Sequence, residues 1–310
     1  MLGCGTIVGM VWELNPVERR DGVPTEDEWS WLTVVPGKSR VFGWDLHFRE
    51  GWAEFVDVFG GGVIEELSGL ALLTVKPDAV VGRRGRRVVD YLVGNGFVPV
   101  GAARFGYTRH SVREVWRYDW DVYPVDRLRF SSLWYAANDV VLVVARDVRP
   151  TPGVPATVRL GALKGVTDPA LNEWHHLRTV LRPPNRVLNF VHVADEPADV
   201  VRELAIFLDR PELRRLLDSV REGADRTEQV LATIADLEAE YPAHDLDVEA
   251  ALDRMAPVIG AQAKDRLSEL IAGNSKIRWD EFTALVPQNA VDLWDVIVVA
   301  SFVVPRERPV

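Results

Sequence analysis

Cysteine is nearly absent. Cys4 is the only one in 310 residues, so no intrachain disulfide can form, and a reducing compartment, the cytoplasm, is expected. Long apolar runs are missing too. None reaches the ~18–20 residues needed to cross a bilayer, and the apolar start from Met1 to Trp12 lacks the basic flank of a secretory signal. Positive charge is scarce: 36 Lys and Arg stand against 46 Asp and Glu, a formal net charge of -10. That balance argues against nucleic-acid binding through a basic surface, yet it leaves room for nucleotides in a locally basic pocket. There is no internal repeat, no low-complexity tract and no G-x-x-x-x-G-K-[ST] phosphate loop. Gly82-Arg83-Arg84-Gly85-Arg86-Arg87 only imitates that loop, and is read as a solvated basic helix start that can face phosphates. The remaining composition is that of an ordinary folded protein, with one large domain or a medium one with additions.

Three stretches divide the chain. In residues 1–65, Ser30-Trp31-Leu32-Thr33-Val34-Val35 and Arg40-Val41-Phe42-Gly43-Trp44 alternate as strands do, on either side of Pro36-Gly37-Lys38. This part is expected to be a β-rich extension, jointed to the rest at Gly60-Gly61-Gly62. Residues 66–209 are more regular. Ala71-Leu72-Leu73-Thr74-Val75 suits a buried strand, and residues 86–94 carry Val88, Val89, Leu92 and Val93 at helical spacing before an Asn95-Gly96 stop. Residues 98–105 read as a strand near an edge because Pro99 has no N–H to give. Val140-Val141-Leu142-Val143-Val144-Ala145 reads as a central strand, and residues 187–193 as another. The next helix can be capped by Asp195, with Pro197 in its first turn and Asp199 at the positive end of its dipole. Beyond residue 210, charge-rich segments with Leu213, Leu216, Leu217 and Val220 on one face indicate amphipathic helices. Residues 294–300 read as either strand or buried helix.

Two short motifs carry the chemistry. Val75-Lys76-Pro77-Asp78-Ala79-Val80 puts a lysine at a strand end, where it can hold a phosphate. Asn189-Phe190-Val191-His192-Val193-Ala194-Asp195 puts a histidine at another, where it can accept one. A neutral imidazole is a good nucleophile toward phosphorus, and its ordinary pKa near ~6.5 leaves it mostly neutral in the cytoplasm. Asp195, Asp199 and Glu203 recur every four residues, so one helix face can reach the far ring nitrogen and fix the tautomer. Adjacent His175 and His176 beside Glu173 do not form a metal site, since neighbours point apart and no further ligand is spaced to help.

In order along the chain, these motifs, Asn95-Gly96-Phe97 and Gly165-Val166-Thr167-Asp168-Pro169 resemble nucleoside diphosphate kinase over roughly residues 70–209. The resemblance implies an α+β fold with a ferredoxin-like βαββαβ core, flanked here by the N-terminal extension and a mainly helical C-terminal one (210–310). It implies transfer of a γ-phosphate from a nucleoside triphosphate to a nucleoside diphosphate through phospho-His192. Lys76 would hold the transferred phosphate, Thr167 and Arg178 the other phosphates, and Asn189 the sugar and bridging-oxygen region, while Glu203 orients the ring. Trp116, Tyr123 and Phe130 are the candidates to clamp the base. Mg²⁺ would arrive on the nucleotide rather than in a protein metal site, and a homo-oligomer is expected, with no nucleic-acid or membrane partner. The chain departs from the family at Val193-Ala194, at Gly161 and over residues 116–130, which do not align cleanly with the base clamp. Val193-Ala194 stands for Gly-Ser, so Val193 is expected to crowd the phosphate. Gly161 stands where the family has a phosphate-binding arginine, with Arg159 as the alternative cation. The alternative function is a catalytically impaired nucleotide-binding or scaffold module.

Overall fold

The computed structural model describes residues 22–118, 123–287 and 290–305. Cys4 and the apolar start fall outside them. At the centre lie four strands, β1 (Leu70–Val75), β2 (Phe97–Phe105), β3 (Val140–Asp147) and β4 (Val191–Val193), in the order β2-β3-β1-β4. Every neighbouring pair is antiparallel. With helical crossovers from β1 to β2 and from β3 to β4, this is the βαββαβ ferredoxin-like arrangement. β1 is buried along its whole length, and its sequence is apolar except at Thr74. β2 lies at an edge, and its register slips between Pro99 and Gly101, where the missing proline N–H interrupts the ladder.

Along the chain, α5 (Pro77–Val81) and α6 (Gly85–Gly94) link β1 to β2, while α7 (Arg109–Val115) and α8 (Val125–Tyr135) form an inserted pair before β3. α9 (Ala156–Lys164) and α10 (Leu177–Leu181) lead to β4, and α11 (Pro197–Phe207) follows it. Glu196, not Asp195, occupies the N-cap of α11, and its backbone N–H donates to Asp199 Oδ2 at 3.0 Å. Asp195 stays exposed, outside the helix.

The expected β-rich extension is a correction. The described part of it is helical: α1 (Glu26–Leu32), α2 (Lys38–Phe42), α3 (Leu46–Phe59) and α4 (Val63–Ser68). A capping box between Thr25 and Glu28 starts α1. Trp29, Leu32, Phe42, Phe48 and Trp52 then turn inward at helical intervals, and tertiary burial overrides local alternation. Gly60-Gly61-Gly62 is one 3₁₀ turn between α3 and α4. At Gly51 the backbone of α3 comes so close to α11 that a Cβ would meet Val201 O at 2.6 Å. This contact and a buried ion pair from Arg202 Nε to Asp45 Oδ2 at 2.8 Å fasten α3 to α11. Thr33 Oγ1, Val34 N and Lys38 Nζ also reach Glu196, at the start of α11. The N-terminal helices therefore brace the helix that carries Glu203.

The C-terminal residues are helical, as their charge and spacing indicated: α12 (Arg210–Glu222), α13 (Thr227–Glu240), α14 (Val248–Ile259), α15 (Ala261–Ala272), α16 (Trp279–Leu285) and α17 (Leu293–Val303). The ambiguous 294–300 stretch is helix, started by Asp292 accepting from Trp294 N and Asp295 N. α12 and α13 lie against β2, and α16 and α17 against α8. Trp279 meets Phe130 and Asn185 Nδ2 donates to Ser301 Oγ at 2.7 Å, so the C-terminal helices support the elements around the cavity described next. Among the described residues, no helix is long and apolar enough to cross a membrane.

Candidate active site

The two motifs dock on each other through the backbone. Lys76 N donates to Phe190 O at 2.9 Å, and Phe190 N donates to Asp78 Oδ2 at 2.8 Å. Phe190 sits at φ 70° while Val191 N donates to Asn189 O, a γ-turn whose central residue is left-handed. Such a conformation in a bulky residue costs about 1–3 kcal/mol and persists only where surrounding bonds enforce it. Asp78, fully buried, supplies that enforcement. This explains the aspartate of the lysine motif: it holds the turn that aims the histidine strand. Two residues on, His192 pairs with Thr74 of β1, two residues before Lys76.

His192 is anchored by one nitrogen only. Its Nε2 lies 2.8 and 3.0 Å from the two Glu203 oxygens. The carboxylate accepts, so Nε2 carries the proton and Nδ1 keeps its lone pair. Nδ1 has no hydrogen-bond partner among the described residues. Trp116 packs against the ring with centroids 5.6 Å apart.

His192 lines a cavity of about 130 Å³ whose walls also carry Lys76, Arg127, Arg178 and Arg186. No Asp or Glu is among its described lining residues. Lys76 is 2% exposed, donates to Asn189 Oδ1 at 2.6 Å and lies 4.3 Å from the Trp134 ring. Burial lowers its ammonium from the usual lysine range; Asp78 opposes this, while Arg178, Arg127 and Lys164 reinforce it. Arg178 is fixed by donating to Gly165 O at 2.8 Å. Several cations converge on these walls, Lys76 and Arg178 among them buried, and this suits an anion. A divalent cation finds no carboxylate ligand among the described lining residues. The cluster of His244, Asp292 and Asp295 elsewhere has ligand spacing, but Arg254 already donates to Asp295 at 2.9 Å and Asp292 caps α17.

Lys76, Trp116, Thr167, Arg178, Asn189 and His192 all meet at the cavity, with Glu203 behind the histidine. Tyr123 lines it as well; Phe130 does not, being buried against Trp134 and Trp279. Residues 119–122, between the base-clamp candidates, lie outside the described residues. Three expectations change. Val193 follows His192 in a strand, so its side chain points to the opposite face; it is fully buried and absent from the cavity wall. Arg159 cannot replace a cation at Gly161, because it pairs with Asp147 at 2.6 Å and stacks on Phe97. Arg83 and Arg84 donate to backbone carbonyls of Val80, Tyr241, Gly82 and Leu181, not toward the cavity. Reasoning from sequence overlooked Arg127, Ser131 and Trp134, although their i, i+4, i+7 spacing places them on one face of α8. Arg186, paired with Asp168, gave no comparable signal.

This geometry sets a histidine with one open ring nitrogen on a cavity lined by cations. Against solved structures, the central part of the chain matches nucleoside diphosphate kinases. That of Aquifex aeolicus is 19% identical, covering 46% of this chain and 96% of its own, with a TM-score of 0.39. An enzyme from Halobacterium salinarum, in complex with CDP, is 22% identical over 46% of this chain and 89% of its own, with a TM-score of 0.38. One from Pyrobaculum aerophilum is 15% identical over 47% and 98%, with a TM-score of 0.36. These TM-scores are low, and the functional reading rests on the side-chain geometry instead. No protein-family model and no curated protein matches the chain.

Proposed function

We propose that the chain is a nucleotide phosphotransferase working through phospho-His192. The supporting observation is the Nδ1 lone pair of a carboxylate-anchored histidine on a cavity walled by Lys76, Arg127, Arg178 and Arg186 with no acid among its described lining. Nδ1 attacks the γ-phosphorus of a nucleoside triphosphate; the Nδ1–P bond forms as the P–O bond to the β-phosphate breaks, and the diphosphate leaves. An acceptor diphosphate then attacks the same phosphorus, and the Nδ1–P bond breaks. Glu203 keeps the Nε2 proton in place through both halves and stabilises the ring as it gains charge. Lys76 and Arg178 neutralise the equatorial oxygens, Thr167 and Asn189 position the nucleotide, and Trp116 gives an aromatic face for it. Mg²⁺, carried by the nucleotide's phosphates, would add charge neutralisation. The same reading takes the protein as a cytoplasmic homo-oligomer, which sedimentation would test.

A second reading, a nucleotide-binding or scaffold module without turnover, draws support from Gly161, which leaves the α9 wall bare where a phosphate-binding arginine is expected. Incubation with γ-labelled ATP and Mg²⁺ separates the two. Acid-labile, base-stable label on the wild type, absent from His192→Ala, supports phosphotransfer, and the diphosphate that discharges it identifies the acceptor. Nucleotide binding without label would leave the module.

A further inference from the structure

A second cavity, of about 680 Å³, meets the first along Thr167 and Arg178, which line both. Its floor is α9, whose Gly161 and Lys164 stand one turn apart on the same face. A Cβ at Gly161 would meet nothing within 4 Å, so this wall is bare where a side chain could stand. Lys164 is the cation left on it. Its Nζ has no hydrogen bond or ion pair with any described residue. A lysine in the last turn of a helix gains from the dipole, but that gain is available in full solvent and does not account for a desolvated ammonium.

The groups facing it come from several elements. Arg178 on α10 repels it; Asp195 after β4 and Glu203 on α11 attract it. Glu203 is already committed to His192, and Asp195 is exposed. His176 lines the same cavity with Nδ1 accepting from Glu173 N. Lys76, at the end of β1, also feels the Lys164 charge. Burial, with Arg178 adding to it, brings the Lys164 pKa down to about 8, so the side chain is still a cation at neutral pH. Lys164 is part-exposed on this wall, where Asp195 is the one acid among the described lining residues, so its charge is open to an anion from outside.

We infer that Lys164 is a phosphate-binding residue, taking the β-phosphate of a nucleoside diphosphate on the far side of Arg178 from Lys76. The inference rests on the phosphotransferase reading and names a cation it lacks. Calorimetric titration of the full chain with ADP and with AMP at neutral pH tests it. Lys164→Ala weakens ADP binding by about tenfold or more, and AMP by less than about threefold. Lys164→Arg binds ADP within about threefold of wild type. Gly161→Arg added to Lys164→Ala restores ADP binding, because the new guanidinium enters the same cavity from one turn away. Should the alanine variant not fold, Lys164→Met keeps the length without the charge. Wild-type ADP affinity in Lys164→Ala, or equal loss for ADP and AMP, overturns the inference alone. A wild type that binds no ADP overturns the phosphotransferase reading, and the inference with it.

Discussion

Two histidines among the described residues hydrogen-bond a buried carboxylate, and their difference shows what makes one a candidate for chemistry. His192 sits on β4 with Nε2 2.8 Å from Glu203, and His244 precedes α14 with Nε2 2.9 Å from Asp295. Both carboxylates are buried. At His244, however, Nδ1 accepts the Leu246 N–H at 3.0 Å, and Arg254 donates to the same Asp295 oxygen at 2.9 Å. Both ring nitrogens and the acid are spoken for. At His192 one nitrogen is held and the other is open to a cationic cavity. The pair alone is a structural device; the uncommitted nitrogen is what gives it chemical use.

The sharpest test pits one histidine against the other. His192→Ala removes all label from γ-labelled ATP, while His244→Ala leaves labelling within about twofold and lowers the melting temperature by several degrees. Label that survives His192→Ala, or dies with His244→Ala, would reverse the assignment. The acids separate next. Glu203→Gln slows labelling by on the order of 10²-fold, since the tautomer and the charged ring both lose support. Its effect on stability stays near ~1 kcal/mol. Asp295→Asn does the opposite: labelling is kept and stability falls by about 1.5–3 kcal/mol, because His244 and the half-exposed Arg254 lose a charged acceptor. Urea unfolding beside the labelling assay measures both arms.

The same contrast shows what a sequence can carry. β1 and β3 are legible because both faces are covered, which demands near-continuous apolar runs. For the same reason residues 294–300 are ambiguous: a segment buried all round shows no period, and only the Asp292 cap marks it as helix. Residues 30–44 mislead because a short aromatic-rich run satisfies either period, and the Thr25–Glu28 box that decides lies upstream. At the site, His192, Lys76 and Glu203 are legible as ordered motifs. Arg186 and Lys164 reach their cavities through loop paths and helix packing that no local pattern encodes. Val193 reads as crowding the site from its place next to His192 alone; the strand β4, paired with β1, turns its side chain to the other face.

Lys164 gives a test with two opposed signs. A lysine whose folded pKa is lowered to about 8 destabilises the fold wherever it is charged, below that value, and the penalty is relieved as pH rises through it toward the unfolded value. Lys164→Met therefore stabilises the free protein at neutral pH, by on the order of 1–3 kcal/mol, while weakening ADP. The stabilisation shrinks as pH is raised from 7 to 10. Unfolding curves across that range check it. A destabilised variant at neutral pH would mean that the ammonium is already satisfied in the free protein.

The smallest effect on chemistry belongs to Val193. Its side chain is fully buried on the face of β4 opposite His192, next to Ala194, whose carbonyl accepts from Thr157 Oγ1. A valine there can matter only through packing. Val193→Ala leaves a cavity and costs about 1–3 kcal/mol, with labelling of His192 changed by less than about twofold. If the valine instead narrowed the approach to Nδ1, the same change would raise the labelling rate severalfold despite the lost stability. Rate and melting temperature measured on one preparation separate the two, because packing and crowding drive the rate in opposite directions.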